Sequence, residues 1–212
     1  MKKVFIGTIS SNATVSAYYL TSIFNTQKLL SEKNINCQLD IIVNEPLIQL
    51  ARNKLLYIFL NSDCDQIIFI DSDQAWDAND LLRLVESDKD FIGAPIIIKN
   101  SNNAYNVSFK NKSNDDILEV ESVGTGMLKV SRTAAQKIFD FSESYLDNED
   151  SLYRMAFEVA VVDGNIVSED LMFCKKWKDL GGKIFIDTSI DPYHIGNAVF
   201  KGNFKEYLNW QS

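Results

Sequence analysis

Histidine occurs once in this chain of 212 residues and cysteine three times, and lysine and arginine never cluster. Each shortage removes a class of function. Cys37, Cys64 and Cys174 are odd in number, far apart and set among apolar or helical residues, so they form neither a disulfide framework nor a zinc-binding spacing. Reduced thiols in a cytosolic setting are expected. A net charge of −8 and a pI near 4.7 leave no basic face for a nucleic-acid backbone. A nucleotide remains compatible, because one metal ion offsets its local charge. No apolar run is long enough to span a bilayer, and the segment Met1 to Gly7 is too short in apolar residues for a signal-peptide core. The expected location is cytoplasmic.

What is present is a globular composition, 46% hydrophobic, sized for one domain with a sizeable core. The most informative stretch is Gln66-Ile67-Ile68-Phe69-Ile70 followed by Asp71-Ser72-Asp73. Four large apolar residues in succession describe a strand buried on both faces, and it runs directly into two carboxylates. Such acids repel each other and are costly to desolvate unless a cation or donors neutralise them. Hard oxygen ligands of this kind suit Mn²⁺ or Mg²⁺, which keep positions open for substrate phosphates. The plainer alternative is that Asp71 caps the turn and Asp73 is solvated.

Taken in order, Lys3 to Ile9 forms a first strand that ends in small polar residues. Thr14 to about Lys33 forms a helix with Val15, Tyr19, Ile23 and Leu30 on one face, and Cys37 to Val43 a second strand. Asn44-Glu45-Pro46 is expected to open a second helix with Asn44 as its cap. Arg52 falls within that helix's apolar stripe, so it must reach an anion: Asp71, Asp73 or a bound nucleotide. After the acidic triplet come a helix from about Asp77 to Ser87 and a strand from Asp90 to Pro95. This alternation predicts a doubly wound, parallel α/β sheet whose ligand sits beyond the carboxyl ends of its strands.

Past Pro95 the alternation fails. Ile96 to Asp116 reads as short antiparallel strands placed to contact an acceptor, Glu119 to Val130 as strand-like around Gly124-Thr125-Gly126, and Ser142 to Ser151 as an exposed acidic loop. Ser168 is expected to cap a helix on which Asp170 shares the inward face with Phe173, Cys174 and Trp177 while Glu169 points elsewhere. His194, the lone histidine, is more often structural when taken by itself. With a carboxylate pair lacking a further ligand, it becomes a candidate for a mixed N/O metal site. The aromatic tail Phe204 to Trp210 either packs back or leads into another domain.

Asn44-Glu45-Pro46 through Arg52-Asn53, Phe69-Ile70-Asp71-Ser72-Asp73, Val123-Gly124-Thr125-Gly126, Ser168-Glu169-Asp170-Leu171 and Asp191 to His194, in that order, resemble the motifs of nucleotide-sugar glycosyltransferases of the GT-A fold. Within that fold the chain is similar to viral and phage enzymes distantly akin to the fungal Anp1/Mnn9 mannosyltransferases, of the kind that open chlorella-virus multidomain glycan enzymes. The resemblance covers nearly the whole chain. It implies a Rossmann-like domain with a central, mostly parallel sheet flanked by helices and a small antiparallel portion in the C-terminal half. Residues 1–95 would be the nucleotide-binding half and 96–212 the acceptor and catalytic half, with further domains of the same polypeptide compatible.

The resemblance further implies that Asp73 and His194 ligate Mn²⁺ or Mg²⁺, with Asp71 in support, and that Asp71 and Ser72 face the ribose and nucleotide of a UDP-sugar. Thr8, Ile9, Asn44 and Arg52 match positions lining the nucleotide pocket, and Lys201 suits the diphosphate. Asp170 matches the acid near the reacting sugar carbon. Gly124, Thr125, Gly126 and Glu169 are the candidates on the side of a glycan acceptor. The implied activity is transfer of a hexose or deoxyhexose, glucose or rhamnose, in viral glycan synthesis and so in the host cytoplasm, with a lean toward retention of configuration. The alternatives are a binding module that has lost transfer and an aspartyl phosphohydrolase, against which the triplet's place after the third strand counts.

Overall fold

A computed structural model describes residues 2–99, 104–109, 115–147 and 151–210. Its first part follows the expected alternation: β1 (Lys3–Ser10), α1 (Ala17–Glu32), β2 (Asn36–Val43), α2 (Ile48–Leu60), β3 (Gln66–Asp71), α3 (Ala78–Glu86) and β4 (Phe91–Gly93). Further on lie β5 (Ile117–Val120), β6 (Met127–Ser131), α4 (Arg132–Phe141), α5 (Glu169–Asp179) and β7 (Ile184–Asp187). The seven strands make one sheet in the order β2-β1-β3-β6-β4-β7-β5. β1, β2, β3, β4 and β7 run one way, while β6 and β5 run against their neighbours. The sheet is thus mostly parallel, with its antiparallel members from the C-terminal half.

Strand β3 shows why the sheet is buried on both faces. Its side chains alternate, so Ile67 and Phe69 pack with Leu55, Leu56 and Phe59 of α2, whereas Ile68 and Ile70 pack with Tyr19 and Ile23 of α1 and Leu81 of α3. Each such side chain, fully withdrawn from water, contributes about 2 kcal/mol. Ser16 caps α1 by accepting from the Tyr19 amide, and Asp77 caps α3. Immediately after the acidic triplet, Trp76 is pinned to α1. Its indole donates to Thr26 Oγ1 at 2.9 Å, and its backbone exchanges bonds with the Ser22 hydroxyl. The exit of the acidic turn is therefore fixed from both sides.

Strand β6 inserts between β3 and β4, antiparallel to both. Partners across a sheet are chosen by long-range register, which local alternation cannot specify. Helix α2 starts at Ile48 with Leu47 before it and no side-chain cap. Asn44 instead adopts a left-handed turn conformation (φ 58°), which Asn tolerates well. The acidic segment is not wholly a loop: Ser144–Leu146 pairs with Leu152–Arg154 as a hairpin, with residues 148–150 outside the described residues. In 96–116 the described part does contain short antiparallel pairing, Val107–Ser108 against Ser122–Val123; residues 100–103 and 110–114 lie outside the description.

Two features bring the C-terminal half to the carboxyl end of the sheet. Asn53 of α2 clamps the Phe157 backbone, accepting from its amide at 2.8 Å and donating to its carbonyl at 2.9 Å. Phe157 in turn stacks on Phe173 of α5 with ring centroids 4.0 Å apart. At the other end of α5, Gly182 lets the chain turn against Trp177, since a Cβ there would lie 2.0 Å from the indole. Separately, Gln74–Ala75 pairs with Tyr193–Ile195, which carries His194 onto the triplet.

Candidate active site

At the carboxyl ends of β1, β2 and β3 a cleft opens, lined by Ile9, Ser10, Ser11, Ile42, Glu45, Pro46, Ile48 and Ala51, with Asp71, Ser72 and Asp73 at one end. Its lining is apolar at Ile9, Ile42, Pro46, Ile48 and Ala51 and acidic at Glu45, Asp71 and Asp73. A second, inner cleft continues from Asp71. It is lined by Arg52, Gln74, Ile96, Ile97, Asn106, Gly124, Thr125, Gly126, Asp170 and His194. Asp71 borders both.

The two acids of the triplet have different surroundings. Arg52, with only 4% of its side chain exposed, donates from Nη2 to Asp71 Oδ1 at 3.1 Å and from Nη1 to Glu169 Oε1 at 2.6 Å. The buried guanidinium expected to need an anion thus has two, and Glu169 turns toward it rather than away. A helical wheel misplaces Glu169 because a long arginine on a neighbouring helix reaches past the wheel's nominal face.

Asp73 instead faces a basic pair. Lys99 Nζ lies 2.6 Å, and His194 Nε2 3.3 Å, from the same oxygen, Asp73 Oδ2. With the His194 ring protonated, burial acts to raise the Asp73 pKa, but bonding and charge from His194 and Lys99 outweigh it and hold the carboxyl down at about 2. The other imidazole nitrogen, Nδ1, is 2.8 Å from the Ile97 carbonyl. A carbonyl only accepts, so Nδ1 carries the proton, and in the neutral ring Nε2 turns a bare lone pair toward a carboxylate. Two electron-rich atoms directed at a common point are the donor set of a cation. In an octahedron with ligand bonds near 2.1 Å, adjacent donors are about 3 Å apart, close to the spacing here. The carbonyl that orients the ring is also what metal-bound imidazoles use. Asp73 and His194 therefore fit Mn²⁺ or Mg²⁺. Among the described residues no group of three or more His, Cys, Asp or Glu side chains is placed to hold a metal ion, so the ligands beyond Asp73 and His194 would be water and phosphate oxygens.

Other sequence candidates fall as follows. Ile9 and Ser72 line the outer cleft. Thr8 does not: it is fully buried, with its hydroxyl 2.6 Å from the Tyr19 phenol. Alternation along β1 allows only one of Thr8 and Ile9 to face the cleft. Asn44 gives its backbone amide to the Ser10 carbonyl, and Glu45 and Pro46 line the cleft in its place. Lys201, expected at the diphosphate, donates to the Tyr193 hydroxyl at 2.9 Å and lies over that ring. Tyr193 neighbours His194 on a strand, so its side chain takes the opposite face. The ammonium at the acids belongs to Lys99, which nothing in the sequence marked. Asp170 lines the inner cleft; one oxygen accepts from the Ser168 hydroxyl and the Leu171 amide, which caps its own helix turn. Ser168 spends its hydroxyl on Asp170 rather than on the helix backbone. Gln74 was also missed, although it directly follows the triplet.

All three cysteines are free thiols, and no helix among the described residues is long and apolar enough to cross a membrane. No family model and no curated protein matches the chain. Solved structures do. The crystal structure of A197 from STIV superposes with a TM-score of 0.61 at 19% identity, over 93% of this chain and 87% of that one. S. aureus TarS 1–349 in complex with UDP-GlcNAc gives a TM-score of 0.51 at 15% identity, over 97% of this chain and 61% of the TarS fragment. Together with the sheet described above, these likenesses show the architecture: the chain has the GT-A fold.

Proposed function

We propose that this chain is a metal-dependent glycosyltransferase. It moves a hexose or deoxyhexose, glucose or rhamnose being the candidates, from a UDP-sugar to a glycan hydroxyl, with viral glycan synthesis as the setting the sequence resemblance implies. The observation that carries this reading is the pair Asp73 Oδ2 and His194 Nε2, 3.3 Å apart with the imidazole oriented by the Ile97 carbonyl, at the junction of the two clefts. Supporting it, a neighbour of the same fold was solved with UDP-GlcNAc.

In this reading the apolar part of the outer cleft takes the base, and Asp71 and Ser72 face the ribose. Asp73 and His194 hold the divalent ion, which when bound supplies Lewis-acid stabilisation of charge on the leaving diphosphate. Lys99, displaced from Asp73, is within the same neighbourhood to offset phosphate charge. Asp170, at the inner cleft beside Gly124 to Gly126, is placed to bind an acceptor hydroxyl or take its proton, the two roles that inverting and retaining chemistry would separate. Ile96 and Ile97, both buried, give this cleft an apolar part.

The test is turnover of UDP-sugars with Mn²⁺, read as UDP release, in the wild type, Asp73→Ala and His194→Ala. Both variants are expected to stay folded and lose metal-dependent turnover. Wild-type rates in either one would remove the metal site, and UDP release in neither the wild type nor the variants would leave a binding module.

A further inference from the structure

Two side-chain oxygens of the inner cleft have no hydrogen-bond partner among the described residues. Gln74 and Thr125 are each 1% exposed, yet Gln74 Oε1 and Thr125 Oγ1 are unpaired there. Buried orphans of this kind are rare, and two on the wall of one cleft point to a ligand that completes them. The orientation of the Gln74 amide is set by its neighbour: Nε2 donates to Asp73 Oδ1 at 3.3 Å, and turning the amide over would oppose two oxygens. Oε1 therefore only accepts. The Thr125 hydroxyl can donate or accept. Glycine at 126 keeps the wall between them low, because a Cβ there would lie 2.7 Å from Ile96 Cδ1 and 3.3 Å from Asp71 Oδ2.

We propose that Gln74 and Thr125 select the donor sugar by hydrogen-bonding its hydroxyl groups, Gln74 requiring a hydroxyl that donates. This deepens the proposed function and rests on it. The donor rather than the acceptor is assigned because the inner cleft shares Asp71 with the nucleotide cleft and contains His194, so the group attached to the diphosphate enters it next. A sugar lacking the matching hydroxyl would leave the orphans unpaired and be rejected, the stronger form of discrimination available to a binding site.

Thr125→Val gives a clean test, because it keeps the shape and removes a hydroxyl that nothing else in the described chain uses. Affinities for UDP, UDP-glucose, UDP-galactose, UDP-GlcNAc and UDP-rhamnose are measured by calorimetry with Mn²⁺. The expected result is a loss of about fivefold to a hundredfold for the UDP-sugar that the wild type binds best, no change for UDP, and an unliganded melting temperature equal to or above wild type. Gln74→Met is expected to shift the same UDP-sugar in the same direction. Wild-type affinity for that UDP-sugar in both variants would overturn the proposal, as would equal losses for UDP and UDP-sugar. A wild type that binds UDP but no UDP-sugar more tightly overturns the assignment alone. One that binds neither overturns the glycosyltransferase reading with it.

Discussion

Asp71 and Asp73 are two residues apart and chemically identical, yet they belong to opposite kinds of site. Asp71 joins a closed cluster in which Arg52, 4% exposed, bridges it to Glu169 across the strand and two helices. Asp73 joins an open one, 41% exposed at the side chain, with two basic groups crowding a single oxygen. The strand ends at Asp71, so the turn through Ser72, not strand alternation, sets the direction of Asp73, and the two acids meet different partners. The Arg52 cluster joins two carboxylates through one buried guanidinium; in the Asp73 cluster a lysine holds the oxygen that, under the proposed function, would take the divalent ion.

The sharpest way to break this comparison is Arg52→Met. It would leave Asp71 and Glu169 facing each other beside a buried core, and removing one partner of a buried pair costs about 3–5 kcal/mol. Chemical denaturation should show a loss of that order. A loss below about 1 kcal/mol, the range of exposed pairs, would place Arg52 with the open cluster instead.

The contrast also separates what was legible in the sequence from what was not. The two-faced burial of Ile67 to Ile70, the anion needed by Arg52 and the meeting of Asp73 with His194 all follow from local chemistry or a motif set, and the structure shows each contact. Arg52 could be read because its helical stripe forces the question of a partner. Glu169 could not, since its approach depends on Asn53 clamping Phe157 and so bringing α5 across the sheet. The same holds for β6: its run Met127 to Val130 is recognisable as a strand, but its place between β3 and β4 is a long-range choice. Lys99 follows an apolar run, Ile96-Ile97-Ile98, with no spacing to the triplet, so only the folded chain brings its ammonium to Asp73. Alternation accounts for two more: Thr8 adjoins Ile9, which faces the cleft, and Lys201 is held by Tyr193, which adjoins His194 and takes the other side of its strand.

A smaller effect is expected at Lys99. Its ammonium and a divalent ion compete for the same oxygen, so Lys99→Met should raise Mn²⁺ affinity in the absence of nucleotide. A partly exposed pair contributes up to about 1 kcal/mol, which limits the gain to about fivefold. The signal of free Mn²⁺ in electron paramagnetic resonance titrations measures it directly. Unchanged or weaker Mn²⁺ binding would mean that Lys99 and the ion do not share Asp73 Oδ2, and the open cluster would then be closed by its own lysine.

The smallest effect concerns acid stability. The Asp73 carboxyl is held at about 2 in the folded chain, below its ordinary value near 3.8, by His194 and Lys99 against the opposing pull of burial. A carboxylate with a depressed folded pKa stabilises fully above its unfolded pKa, and that contribution is lost as the pH falls from about 4 through about 2. Because the side chain is well exposed, solvent screening reduces the contribution to about 1 kcal/mol or less. Denaturation midpoints at pH 5 and pH 2.5 should therefore fall slightly more steeply for the wild type than for Asp73→Asn, which has no proton to gain. A difference of several kcal/mol would make Asp73 a structural acid like Asp71, and the division between the two carboxylates would fail.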